Sequence, residues 1–135
     1  MKRILLWIWC FPQNLVGLIV KHITKAKRKG NHYEFSIKCG SISLGEYIFL
    51  CPNHWGDRMV LRHEKGHREQ SRMLGWLYLP CIALPSIIWA GIYSIFGEEL
   101  EKHGYSYYWW YTEGWADELA GIQRGEPSKT KDIKQ

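Results

Sequence analysis

The chain has 135 residues, a length that suits one domain with a modest core and excludes a multidomain assembly. Its formal net charge is +5, and the positive charge is concentrated in Lys21 to Lys29 and in a polar tail. Because these runs adjoin apolar or flexible segments, we expect anionic lipid headgroups, and not nucleic acid, as their partner; for the tail, a solvated charge run is an equally good interpretation.

Cysteine spacing argues against a disulfide framework. The four cysteines form no C-x-x-C pair and two lie within apolar runs, so we expect reduced, packed side chains in a protein that faces the cytoplasm. They are Cys10, Cys39, Cys51 and Cys81.

The first apolar segment, Ile4 to Val20, follows Lys2-Arg3 and is interrupted at Pro12. A basic run follows it where a signal peptide would have a small-residue cleavage site. Its length is marginal for a straight membrane span. The proline and the basic flanks instead predict a helix, within a unit of residues 1–29, that lies in the membrane interface or packs on the domain. The alternative is a buried core helix.

Strand patterns come next in the chain, after a boundary at Gly30-Asn31. Residues His32 to Lys38 alternate between apolar and polar side chains, which predicts a half-buried strand. Residues Ser41 to Leu50 predict one or two further strands with a bend at Gly45-Glu46. We therefore expect a small antiparallel sheet. The strands could also serve only to cover the following helix.

The next element carries the chemistry. Asp57 is a good helix N-cap, and the helix after it contains His63-Glu64-Lys65-Gly66-His67, the H-E-x-x-H pattern. Residues four apart share one helix face, so His63 and His67 can bind one metal ion while Glu64 reaches a water on it. Gly66 costs about 1 kcal/mol relative to Ala, which predicts a close approach by another backbone or by substrate.

An apolar block follows in residues 73–97, with 25 consecutive uncharged residues. One straight helix of that length could cross a bilayer, but a crossing would separate Glu113 from His63 and His67. We therefore predict a hydrophobic hairpin, with arms Leu74 to Leu79 and Ser86 to Phe96 and a break between Pro80 and Pro85. It would dip into one leaflet or pack on the domain. A wholly soluble, buried hairpin is the alternative.

The last patterned segment could complete a metal site. Glu113 and Asp117 lie one helical turn apart, so Glu113 could be the third ligand while Asp117 accepts a hydrogen bond from a ligand imidazole. An acidic first turn of a solvated helix gives the same spacing. One tyrosine of residues 105–111, or His103, could stabilise an oxyanion, and spacing does not choose among them. Residues 126–135 are polar and predicted to be disordered.

Together, H-E-x-G-H and the later E-x-x-A-D resemble the gluzincin metallopeptidases, most closely the membrane-associated M48 type. The resemblance covers residues 57–124. It implies zinc bound by His63, His67 and Glu113, Glu64 as general base and Asp117 beside His63. It also implies a hydrophobic hairpin between the motifs and a sheet edge that holds the substrate backbone.

The sequence thus predicts an α+β fold in residues 1–125: a sheet, an H-E-x-x-H helix, a hydrophobic hairpin and a third-ligand helix. We expect a zinc-dependent endopeptidase acting on a protein or peptide substrate, associated with a membrane and with its zinc site facing the cytoplasm. The alternative is a non-catalytic membrane-associated module with a structural or vestigial zinc site.

Overall fold

The structure is a computed structural model that describes residues 1–38 and 40–124. The predicted disorder of residues 126–135 and the packing of Cys39 lie outside the described residues. The helices are α1 (Lys2–Trp9), α2 (Phe11–Ile23), α3 (Arg58–Leu74), α4 (Leu84–Lys102) and α5 (Tyr111–Leu119). The strands are β1 (Lys27–Lys29), β2 (His32–Glu34), β3 (Ile42–Leu44) and β4 (Tyr47–Leu50). The fold is α+β, as predicted.

The amino-terminal helices meet at a sharp bend. α1 and α2 are separated at Cys10 and bent by 88°, and Pro12 lies in the first turn of α2, where its missing N–H costs no helical hydrogen bond. α2 is fastened to the domain by polar side chains. Gln13 Nε2 donates to Gly75 O at 2.8 Å, and Asn14 Oδ1 accepts from Glu46 N at 2.8 Å. Most apolar residues of the pair remain exposed.

Among the described residues, four strands form one sheet in the order β1-β2-β4-β3. β1 with β2 and β3 with β4 are antiparallel, but β2 and β4 run parallel, so the prediction of an antiparallel sheet is wrong. The reason is the burial of β4, whose Ile48, Phe49 and Leu50 are almost fully buried. The tight turn at Gly45 pairs β4 with β3, and β2 covers its other side. The basic strand β1 was missed because its three residues are all charged.

From Leu79 onwards, the apolar block forms one continuous helix, without the break that was predicted between Pro80 and Pro85. The chain turns at residues 75–77, and a helix then runs from Leu79 to Lys102, beginning with a π-helical turn. Pro80 and Pro85 lie in first turns of these helical segments, where proline is tolerated, so neither breaks the chain. The predicted break is therefore wrong.

The chain nevertheless returns towards His63 and His67. After α4, residues 103–110 run back along the helix, held by Trp89 Nε1, which donates to Tyr107 O at 2.7 Å. Tyr107 also packs edge-on against Tyr93, with ring centroids 5.4 Å apart. The segment Leu79–Lys102 is long and apolar enough to cross a membrane, with 17 % of its apolar window buried in the protein.

Cysteine packing follows the prediction in part. Cys10 and Cys51 are buried and free, but Cys81 is exposed, so its predicted packing is wrong. It lies within the apolar block, whose outer surface the described residues leave uncovered.

Candidate metal centre

Helix α3, which carries the H-E-x-x-H motif, begins at a capped amino terminus. Asp57 Oδ1 accepts hydrogen bonds from Met59 N at 2.8 Å and Val60 N at 3.1 Å, which makes Asp57 the N-cap, as predicted. The helix then brings the side chains of His63, Glu64 and His67 into the protein interior, where each is at least nine-tenths buried.

Three side chains converge on one point. Glu113 Oε2 lies 3.0 Å from His63 Nε2 and 3.3 Å from His67 Nε2, and the two imidazole nitrogens are 3.1 Å apart. Ligands about 2.0–2.1 Å from a tetrahedral ion lie roughly 3.3 Å from one another. The spacing therefore fits, and this buried group could hold a metal ion.

Gly66 allows α5 to reach the motif. A Cβ atom at Gly66 would stand 2.0 Å from Ala116 O, so any side chain there would collide with the backbone of α5. The predicted close approach is thus made by a backbone. It brings Glu113, one turn before Ala116, against the two histidines.

His63 is oriented by an ionised pair. The structure places Asp117 Oδ1 2.7 Å from His63 Nδ1, which turns Nε2 towards Glu113. Arg124 holds the same carboxylate through Nε at 2.5 Å and through its terminal nitrogen at 3.1 Å. The Arg124 guanidinium also covers the Tyr108 ring, 3.3 Å from its centroid. Arg124 was not identified from the sequence, because it lies seven residues after Asp117, outside the E-x-x-A-D motif.

His67 is oriented by an uncharged side chain. Gln70 is fully buried, and its Oε1 lies 2.7 Å from His67 Nδ1. Its Nε2 donates at 2.8 Å to the carbonyl of Thr112, the residue immediately before Glu113. Gln70 therefore links the second histidine to Glu113. Its position three residues after His67, on the same helix face, was the available signal.

Burial and charge together set the protonation of the site. Burial alone would raise the pKa of Glu113, but its contacts with His63 and His67 outweigh burial and hold the pKa well below its usual range. For His67 the two effects have opposite signs. Burial alone would lower the pKa of its imidazole, but the Glu113 carboxylate raises this pKa to about 9. Glu113 is thus an anion that requires a neighbouring cation, a role that a metal ion can fill.

Glu64 differs from the other carboxylates. It is 5 % exposed, and its Oε2 atom has no hydrogen-bond partner among the described residues. Burial raises its pKa, although the nearby imidazoles of His67 and His63 oppose the shift. A buried carboxylate with a free oxygen is able to exchange a proton with a molecule that enters the site.

A cavity of about 670 Å³ opens beside these residues. Residues of β3 and α4 line it, together with Glu64 and His67 of α3. Tyr107 and Tyr108 also line it, whereas Tyr105, Tyr111 and His103 do not. His54 lines the cavity as well, but its Nδ1 is 2.8 Å from Ser41 Oγ, apart from the three convergent ligands.

Comparison with protein-family models, with curated proteins and with solved structures finds no match to this chain.

Proposed function

We propose that this protein is a zinc-dependent metalloendopeptidase of the gluzincin type, which hydrolyses peptide bonds of a protein or peptide substrate. The observation that carries the proposal is the convergence of His63, His67 and Glu113 beside the free carboxylate oxygen of Glu64, at the wall of a cavity. Two imidazoles and one carboxylate are a donor set of catalytic zinc sites.

The number of ligands favours catalysis over a structural zinc ion. Structural zinc sites are almost always closed by four protein ligands, whereas catalytic sites have three and leave a position open. Three groups converge in the part of the chain that the structure describes. The adjoining cavity gives the substrate access to the open position.

The roles of the side chains follow from their surroundings. A bound zinc ion would supply Lewis acidity, which acidifies a water molecule and polarises the carbonyl of a peptide bond. Glu64 accepts the water proton at its free oxygen and delivers it to the leaving amine. Its raised pKa suits this exchange, because a general acid–base group works best when its pKa approaches the operating pH. Tyr107 and Tyr108 are the candidate donors to the oxyanion.

Strand β3 could bind a short stretch of the substrate backbone. It is an edge strand and it lines the cavity, so it could pair with an extended peptide. The carbonyl of Ser43 already accepts a hydrogen bond from the Tyr78 hydroxyl at 3.0 Å. Main-chain pairing would therefore be short, and side-chain contacts must supply part of the affinity.

We also propose that the protein works at a membrane surface, with the metal centre on the cytoplasmic face. Large apolar side chains are exposed along α1, α2 and α4, and the basic residues from Lys21 to Lys29 occupy the last turn of α2 and the segment that follows it. So much exposed apolar surface is typical of a lipid or protein interface. Basic residues beside it favour anionic headgroups.

The test of the enzymatic proposal compares Glu64→Gln with the parent protein and with Glu118→Gln, a matched change at an exposed position of α5. We expect stoichiometric zinc in all three proteins and a loss of peptide hydrolysis of about 10²- to 10⁴-fold in Glu64→Gln alone. Metal analysis and cleavage of a fluorogenic peptide mixture provide the two measurements. Absence of zinc from the purified parent, or equal activity in Glu64→Gln, would reject the proposal.

A further inference from the structure

A second cavity, of about 220 Å³, is lined by residues of helix α1 and of strands β1, β2 and β4. It shares no described lining residue with the cavity of the metal centre. The rings of Trp7, Tyr33 and Tyr47 form part of its wall, and the two tyrosine ring centroids are 5.7 Å apart. At about 30 Å³ per water molecule the cavity holds roughly seven waters, so a small headgroup fits and an acyl chain does not.

The charge around this second cavity is positive. Arg28 lies directly opposite Tyr33 in the β1–β2 pair, and Lys21 Nζ is 5.4 Å from the centroid of the Tyr33 ring. Glu46 is the only acidic residue in the described lining, and Arg72 binds both of its carboxylate oxygens, each at 2.8 Å. The cavity therefore attracts an anion and offers no free carboxylate to an ammonium group.

Two side chains of the lining have donors to spare. Arg28 Nε donates to Gly30 O at 3.2 Å, but the terminal nitrogens of this guanidinium have no hydrogen-bond partner among the described residues. The Nδ2 atom of Asn31 also has none within the described part of the chain. Two free guanidinium nitrogens suit a phosphate group, which they can bind through parallel hydrogen bonds.

The cavity adjoins the helix that is proposed to contact lipid. Trp7 belongs to α1, whose Ile4, Leu5 and Ile8 side chains are exposed. Arg28 belongs to the basic strand β1. Lipid headgroups that contact α1 and β1 would therefore lie within reach of this cavity.

We propose that the second cavity binds the headgroup of an anionic phospholipid whose alcohol is uncharged and hydroxylated, as in phosphatidylglycerol, with Arg28 on the phosphate and Asn31 and the aromatic rings beside the glycerol. The inference rests on the proposed membrane contact and adds to it the class of headgroup that the protein selects. Phosphatidylserine has the same net charge, but its ammonium group would be repelled by Arg28 and Lys21 and would find no free carboxylate.

Vesicle co-sedimentation separates this site from attraction by net charge. The parent protein is mixed with vesicles of neutral phosphatidylcholine that contain the same molar fraction of either phosphatidylglycerol or phosphatidylserine. Net charge alone predicts equal binding to the two vesicles. The site predicts about 10-fold tighter binding to phosphatidylglycerol, the effect of a charge-assisted hydrogen-bond pair. Equal binding would overturn the proposal.

Arg28→Lys keeps the charge but loses the paired donors. We expect this change to lower binding to phosphatidylglycerol about 10-fold, to the level of phosphatidylserine, with phosphatidylserine binding unchanged. Arg3→Lys makes the same replacement at an exposed position of α1 outside the cavity lining and should preserve the preference. Asn31→Asp places a carboxylate in the cavity and should remove it. A preference that survives Arg28→Lys would reject the site.

The free headgroup provides a competition test. Glycerophosphoglycerol, which is phosphatidylglycerol without its acyl chains, should release the parent from phosphatidylglycerol vesicles more than sodium chloride does at the same ionic strength. Equal release by the two would show that screening alone is responsible, and would overturn the site.

The same measurements distinguish this inference from the proposed membrane contact. Equal, salt-sensitive binding to both anionic vesicles would keep the membrane contact and reject the headgroup site. Sedimentation with neither vesicle would reject both. Peptide hydrolysis is not involved, so the test of the metallopeptidase is independent of each outcome.

Discussion

His63 and His67 lie one turn apart on the same helix, but different chemistry orients them. The partner of His63 is the carboxylate of Asp117, whose charge is balanced by Arg124, whereas the partner of His67 is the neutral amide of Gln70. A carboxylate partner makes an imidazole a stronger donor to a metal ion than an amide does. We therefore expect His63 to contribute more to metal affinity than His67.

Replacement of Asp117 by Asn tests this difference. The side chain keeps its size but loses the charge that polarises His63 and balances Arg124, so zinc affinity should fall by about 10- to 100-fold. Competition with a chromogenic chelator measures the affinity. Asp57→Asn is the matched control, because Asn caps a helix as well as Asp does. Equal zinc affinity in Asp117→Asn and the parent would show that His63 does not depend on this carboxylate.

Among individual side chains of the site, the sequence predicts those that belong to a motif with fixed spacing and misses those that do not. Spacing on two helices was enough to propose that Glu113 joins His63 and His67, since each element fixes its own residues. Gln70 and Arg124 carry no such pattern, because their roles depend on how α3 and α5 cross and on where the chain runs after α5. The choice between Tyr107 and its neighbours depends on the same tertiary packing.

Among the helices, two glycines differ in the space around them. Gly66 lies where α3 and α5 touch, and a methyl group there would meet Ala116 O at 2.0 Å, whereas Gly91 faces open space. Gly66→Ala should therefore separate the helices and destabilise the fold by about 1–3 kcal/mol or more, with loss of bound zinc. Gly91→Ala should stabilise it by up to about 1 kcal/mol.

Thermal unfolding followed by circular dichroism compares the two variants directly, since each adds the same methyl group to a helix. A shift of the melting temperature in the same direction for both would contradict the assigned packing. Zinc content measured on the same samples distinguishes a damaged metal centre from a general loss of stability.

The elements were predictable where local chemistry dominates. Asp57 and the periodic pattern after it define α3, and Gly45 defines the β3–β4 turn. Proline was the misleading signal, because Pro80 and Pro85 were interpreted as breaks but begin helices. The parallel pairing of β2 with β4 could not be predicted from either strand alone. It depends on which faces the whole sheet buries.

If the protein binds a membrane as proposed, the path of the whole chain favours a helix α4 that lies along the surface over one that crosses it. A crossing would place Glu98, Glu99, Glu101 and Lys102 at the far headgroups. Residues 103–110, which return along the helix to Trp89, would then pass back through hydrocarbon, where unpaired backbone groups cost several kcal/mol each. Lying along the surface keeps these groups in contact with water.

Vesicle co-sedimentation tests the proposed membrane contact. The parent should bind vesicles rich in phosphatidylserine more tightly than neutral ones, and the preference should weaken in high salt. Changing Lys25, Lys27 and Lys29 together to Gln should remove about 1 kcal/mol per residue, roughly 100-fold in all. The same three changes to Arg retain the charge and should retain binding. A protein that stays in the supernatant with both vesicles, without detergent, would reject the membrane contact.

The buried polar side chains of α2 determine what proteolytic removal of the amino-terminal helices would do to the rest of the protein. Gln13 bonds to Ser71 Oγ at 2.9 Å and to Gly75 O at 2.8 Å, so α2 completes the carboxyl end of the helix that carries both histidines. Cleavage after α2 would leave those buried groups without partners, together with Glu46 N, which Asn14 now satisfies. The amino-terminal helices are therefore not a detachable anchor, and a fragment released without them would lose the support of the helix that carries His63 and His67.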